Sequence, residues 1–501
     1  MTYLKERTGV RRMGGTGLRL FSPDDTDTIH FRSLKILAQT GVVVESREAA
    51  DIYQGAGAWV EPQGEFFRVR LPQRLIHDAV AAAPKSITYY GRRPEDDFEV
   101  EPNRVGFTTF GECVNIIDPR TKEFRPTTKK DCGDIARLID ALPEMAVTLR
   151  TVCSGDQFPE AQAVHNLEAL FNNSSKNILL GVGGRRNLEV MVKMAHEICG
   201  GEAAYRRRPI LTAAICPTSP LTMVRDCCEA LITAARTGTN LIITSMCLAG
   251  GSAPATVSAA ILQHNAEFLA ALTLVQLAAP GAAVTYGSCS TIMDLKTGNS
   301  VVGAPEYGMI NSGIAHMARY YQLPVLCGGG LSDAKIPDAQ VGYEFAVNAL
   351  QSALAGANLV YGSGCLDLGL TFDYAKLMMD HECMGYIRKI LGGVPTDDDS
   401  LCAGLIDEVG PGGNFLSHRD TLKRARNQSQ VHLFDRHGRD RWERENPGGR
   451  TVTERAYEAA LGLLETHQPY PLPEGAAAAI SEMVQDYEAR LKSDKKGRSD
   501  S

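Results

Sequence analysis

Beyond about residue 105 the chain alternates between two hydrophobic patterns. Short apolar runs rich in β-branched residues give way, across a turn of Gly, Ser or Pro, to longer stretches with apolar residues at helical spacing. Eight such units can be counted. The runs "RVGFTTFG", "MAVTLRTVCSG", "NILLGVGG", "PILTAAICP", "NLIITSMCLAGG", "AAVTYGSCS", "LPVLCGGG" and "NLVYGSG" predict strands. Helices are predicted to begin near Thr128, Pro159, Asn187, Pro220, Pro254, Pro305, Pro337 and Asp373. Proline suits such starts because a first-turn residue has no helical use for its N–H. Strands that are apolar throughout are buried on both faces, and alternation with helices makes their pairing parallel. The predicted fold class is therefore α/β, an eight-stranded β/α (TIM) barrel over residues 105–392 with extensions at both ends.

The flanks read differently. Residues 1–104 form a mixed N-terminal region with a helix predicted over 24–40 and strands near "FFRVRLP" and "SITYYG". Residues 393–501 turn polar and Arg-rich, a mostly helical extension with a last helix over 473–491. The closing "KSDKKGRSDS" has almost nothing to bury and is predicted to be disordered.

Composition narrows the function. At 501 residues, 44% hydrophobic, 22% charged and net charge −7, the chain reads as an ordinary globular protein without a basic surface, which argues against nucleic acid. The start "MTYLKERTGVRRMGG" has charges but no apolar run after them, so it is not a secretory signal. Gln276 and Pro280 interrupt the most apolar window, against a membrane span. A cytoplasmic location is expected. The 13 cysteines show no C-x-C or C-x-x-C spacing, against a disulfide framework or a zinc knuckle.

Barrels place their chemistry at the C-terminal ends of the strands, where "CGGG" of the seventh strand runs into Ser332, Asp333 and Lys335. Glycines at that rim allow a ligand close to the backbone. Cys113, Cys153, Cys216, Cys247, Cys289, Cys327 and Cys365 sit on seven of the strands; thiolates for a metal are outweighed by the plainer reading, small hydrophobes in a crowded interior. Phe107, Phe110, Tyr286 and Tyr361, with Tyr89 and Tyr90 just ahead of the barrel, could each be core, yet together would cage a methylated ammonium. Glu112, Asp156, Asp294, Glu306, Asp333 and Asp367 lie on the same rim, some as helix caps. Asp333 stands too far ahead of Pro337 to be a simple cap. Lys335 is either a solvated loop lysine or a group for a Schiff base or a substrate carboxylate. His264 and Glu267 share a helix face and read as a structural pair. No P-loop or dinucleotide motif is present, "GVGGRRN" being too loose.

Taken together, "HNAEFLA", "YGSCSTIMDLKTGNSVVGAPE", "GGGLSDAKIPDAQVGYE" and "LIDEVGPGGNFLSHRDTL" resemble the trimethylamine methyltransferase superfamily across the barrel and the C-terminal region. That resemblance implies a barrel that passes a methyl group from an amine to cobalt(I) of a separate corrinoid protein, with no cofactor on the chain itself. Trimethylamine enzymes of the family carry pyrrolysine at a strand end, a position matched here near Gly330 or Leu331, and this chain has only the twenty standard residues. It is thus similar to the branch without pyrrolysine, whose members demethylate quaternary amines such as glycine betaine, proline betaine and carnitine. The chemistry agrees: an imine captures an amine through its lone pair, and a quaternary nitrogen has none.

Site roles follow from predicted rim positions and are not assigned by the resemblance. Asp333 and Glu306 are expected to balance charge at the reaction centre, and Tyr89, Phe110, Glu112, Tyr286, Lys335 and Tyr361 to bind substrate. Expected partners are the corrinoid protein, a small quaternary amine and further copies of the chain in a homo-oligomer. Three rivals are a zinc-dependent methanol or thiol methyltransferase, a Schiff-base lyase or aldolase using Lys335, and a betaine-binding protein without turnover.

Overall fold

The structure, a computed structural model, describes residues 10–13, 17–425 and 428–499. Each predicted strand is present and shorter than its apolar run: β1 (Arg104–Thr109), β2 (Thr148–Leu149), β3 (Ile178–Gly181), β4 (Leu211–Ile215), β5 (Asn240–Ser245), β6 (Val284–Ser288), β7 (Val325–Gly328) and β8 (Leu359–Ser363). They lie side by side in the order β1-β8-β7-β6-β5-β4-β3-β2, all parallel, and Val10–Arg11 adds a ninth strand antiparallel to β1. The two ends of this run also meet. Phe107 of β1 bridges in parallel to Met145, just ahead of β2, and the Ala146 N–H donates to the Phe107 carbonyl at 2.7 Å.

A helix follows every strand: α1 (Lys129–Ala141), α2 (Gln162–Asn173), α3 (Arg185–Cys199), α4 (Arg225–Thr237), α5 (Val257–Ala278), α6 (Pro305–Tyr320), α7 (Ala339–Ala355) and α8 (Tyr374–Leu391). The cap of α1 is Thr128, whose hydroxyl accepts from the Asp131 N–H while Asp131 reaches back to the Thr128 N–H. Pro305 is the first residue of α6, and Asp373 caps α8. Pro220, Pro254 and Pro337 instead stand in the loops ahead of α4, α5 and α7, and Asn187 lies inside α3. A proline marks where a helix is allowed to start, and for α5 and α7 the side-chain caps Thr256 and Asp338 set the first residue.

The N-terminal region covers α5. Helices Pro23–Gln39, Arg47–Gly55 and Gln73–Ala82 pack on it, which explains why α5 is apolar nearly all round. The Tyr53 hydroxyl, fully buried, donates to the Ala270 carbonyl at 2.8 Å. Strand Thr222–Met223, from the loop after β4, joins Val42–Val44 in a separate small sheet.

The C-terminal extension ends in a helix. Helix Ala476–Ser499 carries most of the residues predicted to be disordered. Lys492 pairs with Glu488 one turn back, and Lys495 reaches Glu160 at 2.6 Å, so the charges that rule out burial still stabilise the helix. Residues 500–501, and most of the segment read for a secretory signal, lie outside the described residues. No helix among the described residues is long and apolar enough to cross a membrane.

Candidate active site

At the C-terminal ends of the strands lies a cavity of about 330 Å³. Leu149, Leu179, Ile242 and Leu326 form its apolar depth, with Phe110, Tyr307, Leu331 and Tyr361 nearer the loops. Phe110 and Tyr361 stack with ring centroids 5.5 Å apart and planes inclined by 25°. Burial holds the hydroxyls of Tyr307 and Tyr361 neutral, far above the ordinary phenol range.

Only two residues of this wall are charged, Glu112 and Arg150. Arg150 Nη2 donates to Glu112 Oε1 at 2.6 Å; the arginine side chain is 7% exposed and the glutamate 69%. Glu112 holds φ at +104°, a strained backbone for any residue with a Cβ. A Cβ on Gly181, at the end of β3, would come 3.3 Å from Glu112 Oε1, so this glycine keeps the carboxylate's side of the cavity open. Cys216 contacts Thr244 Oγ1 at 2.7 Å, and its exposed surface faces this cavity. The Cys289 thiol beside it pulls Cys216 below the ordinary range, and the same contact pushes Cys289 up.

A wider, more polar space of about 800 Å³ adjoins the cavity and shares Glu112, Arg150, Gly181, Ala214 and Cys216 with it. The start of α3 forms one side, and Tyr487 and Leu491 of the last helix another. The Tyr487 hydroxyl donates to Asn187 Oδ1 at 2.8 Å and ties the two together.

Three of the eight predicted site residues, Phe110, Glu112 and Tyr361, line the cavity; five do not. Tyr286 faces away, its ring 3.7 Å from Phe268 of α5 and its hydroxyl donating to Asn265 Oδ1 at 3.0 Å. Tyr89 is buried against Thr285, near the N-terminal end of β6, with 2.5 Å between the hydroxyl oxygens. Asp333 accepts the N–H groups of Val302 and Gly303, each at 2.9 Å, and so latches the loop before α6. Glu306 sits in the first turn of α6, off the cavity wall. Lys335 is 65% exposed and paired with Asp367 at 2.9 Å.

The glycine platform serves the protein and not a ligand. A Cβ on Gly328 would lie 1.9 Å from the Tyr307 hydroxyl, one on Gly329 2.9 Å from Ala349, and one on Gly330 2.7 Å from the Ser363 nitrogen. Behind it the buried Lys376 ammonium donates to the Gly330 carbonyl at 2.8 Å and to Asp380 at 2.6 Å. His264 and Glu267 are buried without bonding each other: His264 meets Ser290 at 2.8 Å, and Glu267 collects Ser219, Leu221, Ser245 and Gln263 as donors. No three His, Cys, Asp or Glu among the described residues converge as a metal site. Arg150 and Tyr307 were missed. An arginine inside the apolar run "MAVTLRTVCSG" was a readable signal, whereas Tyr307 looked like any core residue of a helix.

Residues 7–494 match the trimethylamine methyltransferase (MTTB) family. The chain belongs to this family. It is 44% identical to trimethylamine methyltransferase MttB of Desulfitobacterium hafniense (strain DSM 10664 / DCB-2), over 96% of each chain. A glycine betaine methyltransferase of Desulfitobacterium hafniense (strain Y51) is 30% identical over 85% of this chain and 88% of its own. Among solved structures, the monomethylamine methyltransferase (MtmB) of Methanosarcina barkeri aligns with TM-score 0.50 and 10% identity, covering 88% of this chain and 93% of that one. At that identity the likeness speaks for the α/β fold alone.

Proposed function

We propose that this MTTB-family chain is a methyltransferase that takes a methyl group from a quaternary amine and delivers it to a corrinoid carried by a separate protein. The observation that carries the reading is the small cavity: a stacked Phe110–Tyr361 pair with one well-exposed carboxylate, Glu112, at its edge. Aromatic faces and a carboxylate attract a methylated ammonium without needing its lone pair. We infer too that the eight parallel strands close into a β/α barrel, which the Phe107–Met145 bridge supports.

Cobalt(I) of the bound corrinoid would supply the nucleophile. The chain's own residues orient an N-methyl and exclude water from it. A quaternary ammonium departs as a neutral tertiary amine, so no general acid is required, and two neutral tyrosines suit that demand. The wider, more polar space beside the cavity, with Arg185 and Arg186 on its wall, is where the partner protein would present its cofactor.

A tertiary amine is the second reading, favoured by the higher identity to a trimethylamine enzyme than to a glycine betaine enzyme. Demethylation of trimethylamine and glycine betaine should be compared with added cobalt(I) corrinoid protein. Faster turnover of the quaternary amine is expected. Equal or faster turnover of trimethylamine establishes the second reading instead.

A further inference from the structure

Two cysteines from different strand ends open on the inner cavity, and no step of the proposed reaction uses them. Cys216 follows β4, Cys289 follows β6, and both line the cavity. They flank the end of β5: Cys216 Sγ contacts Thr244 Oγ1 at 2.7 Å, and the Cys289 N–H donates to the Ser245 carbonyl at 2.9 Å. Of the thirteen cysteines Cys216 alone is exposed, and Cys289 is partly so. Bonds from the Cys289 thiol and the Thr244 hydroxyl favour the Cys216 thiolate, the form that attacks an oxidant. A second pair of thiols differs in access. Cys113 Sγ lies 3.3 Å from Cys365 Sγ, but both residues are fully buried, and burial keeps Cys113 protonated.

We propose that Cys216 and Cys289 form a peroxide-reactive dithiol whose oxidation to a disulfide closes the inner cavity. The Cys216 thiolate attacks one oxygen of hydrogen peroxide, so that an S–O bond forms, the O–O bond breaks and the departing hydroxide is protonated to water. The Cys289 sulfur then attacks the Cys216 sulfur: the S–S bond forms, the S–O bond breaks, and the second oxygen leaves as water with the Cys289 proton. The two sulfurs are oxidised and the peroxide is reduced to two waters. The bridge crosses the end of β5 at Thr244, on the loop side of Ile242 and the apolar depth. That closure rests on the amine reading above; the chemistry of the thiols does not.

The test treats the full chain with hydrogen peroxide, maps its cysteines by alkylation and peptide mass spectrometry, and measures glycine betaine binding by calorimetry before oxidation, after it and after dithiothreitol. A Cys216–Cys289 disulfide should form while Cys113 and Cys365 stay thiols. Betaine affinity should fall at least about tenfold and return with dithiothreitol. Cys289→Ser should stop at a Cys216 sulfenic acid that dimedone labels, and Cys216→Ser should leave Cys289 a thiol, so the assignment does not hang on one variant folding. Cys216 remaining a thiol, a disulfide from Cys216 to another cysteine such as Cys153, or equally fast oxidation of Cys113 and Cys365 overturns the dithiol. A mapped Cys216–Cys289 disulfide with unchanged betaine affinity overturns the closure. A reduced parent chain that binds no betaine overturns the amine reading and the closure with it, and the mapping alone then decides the dithiol.

Discussion

Glu112 shows how much a single residue can carry against its own backbone. At φ +104° any side chain is strained, and glycine alone is at ease there. Glu112→Gly and Glu112→Ala both remove the carboxylate and differ only in that strain. The glycine variant should be more stable than the alanine variant by about 1 kcal/mol in urea unfolding, with methyl transfer lost equally from both. Equal stability would mean that the loop relaxes and that the conformation is not held for the carboxylate. His264 supplies a pH signature. Burial lowers its pKa to about 3, so the folded chain leaves it neutral where the unfolded chain, near 6.5, takes up a proton. The unfolded state therefore binds more protons between those values, and stability must fall as pH drops below about 6.5. His264→Asn should flatten that fall by up to about 1.4 kcal/mol per pH unit, read from urea midpoints between pH 5 and 7. An unchanged slope would show that His264 gains water or protons in the folded chain.

Strand identity was legible and strand phase was not. Apolar runs and turn residues placed all eight strands, yet a strand buried on both faces gives no sign of which alternate residues point inward. Register decides it. Gly287 pairs with Leu326 and Gly328 with Tyr361, and Leu326 and Tyr361 both line the cavity, so Tyr361 points in while Tyr286, one residue before Gly287, points out towards α5. The same limit hid what the glycines are for. Composition suggested a floor for ligand, but Gly328 has no side chain because Tyr307, from the preceding helix α6, fills the space. Gly328→Ala should cost about 1–3 kcal/mol by overpacking, and Tyr307→Leu in the same chain should recover part of that cost. Strictly additive effects of the two substitutions, measured as a double-mutant cycle, would show that the two sites do not share this space.

At the scale of the whole molecule, the candidate site is finished by a segment that the sequence presented as an afterthought. The last helix looked separable because its tail is charged, and charge says nothing about where the helix docks. Ala476, Ile480 and Val484 are buried, the His165 ring lies 2.5 Å from the Glu488 carboxylate, and Tyr487 and Leu491 face the outer space. Distance along the chain is what concealed this, since Tyr487 and Asn187 are 300 residues apart. On the proposed function the arrangement would separate two jobs that activity alone confuses: the inner cavity would hold the amine, and the outer space would admit the methyl acceptor. Replacing both Tyr487 and Leu491 by alanine should leave betaine affinity within about twofold by calorimetry, because neither side chain reaches the inner cavity. Methylation of added corrinoid protein should slow, with the half-saturating concentration of that protein raised about tenfold and the rate at saturation less affected, as expected when binding of the acceptor alone is weakened. Loss of betaine binding in a chain that melts normally would show instead that the last helix shapes the amine site directly.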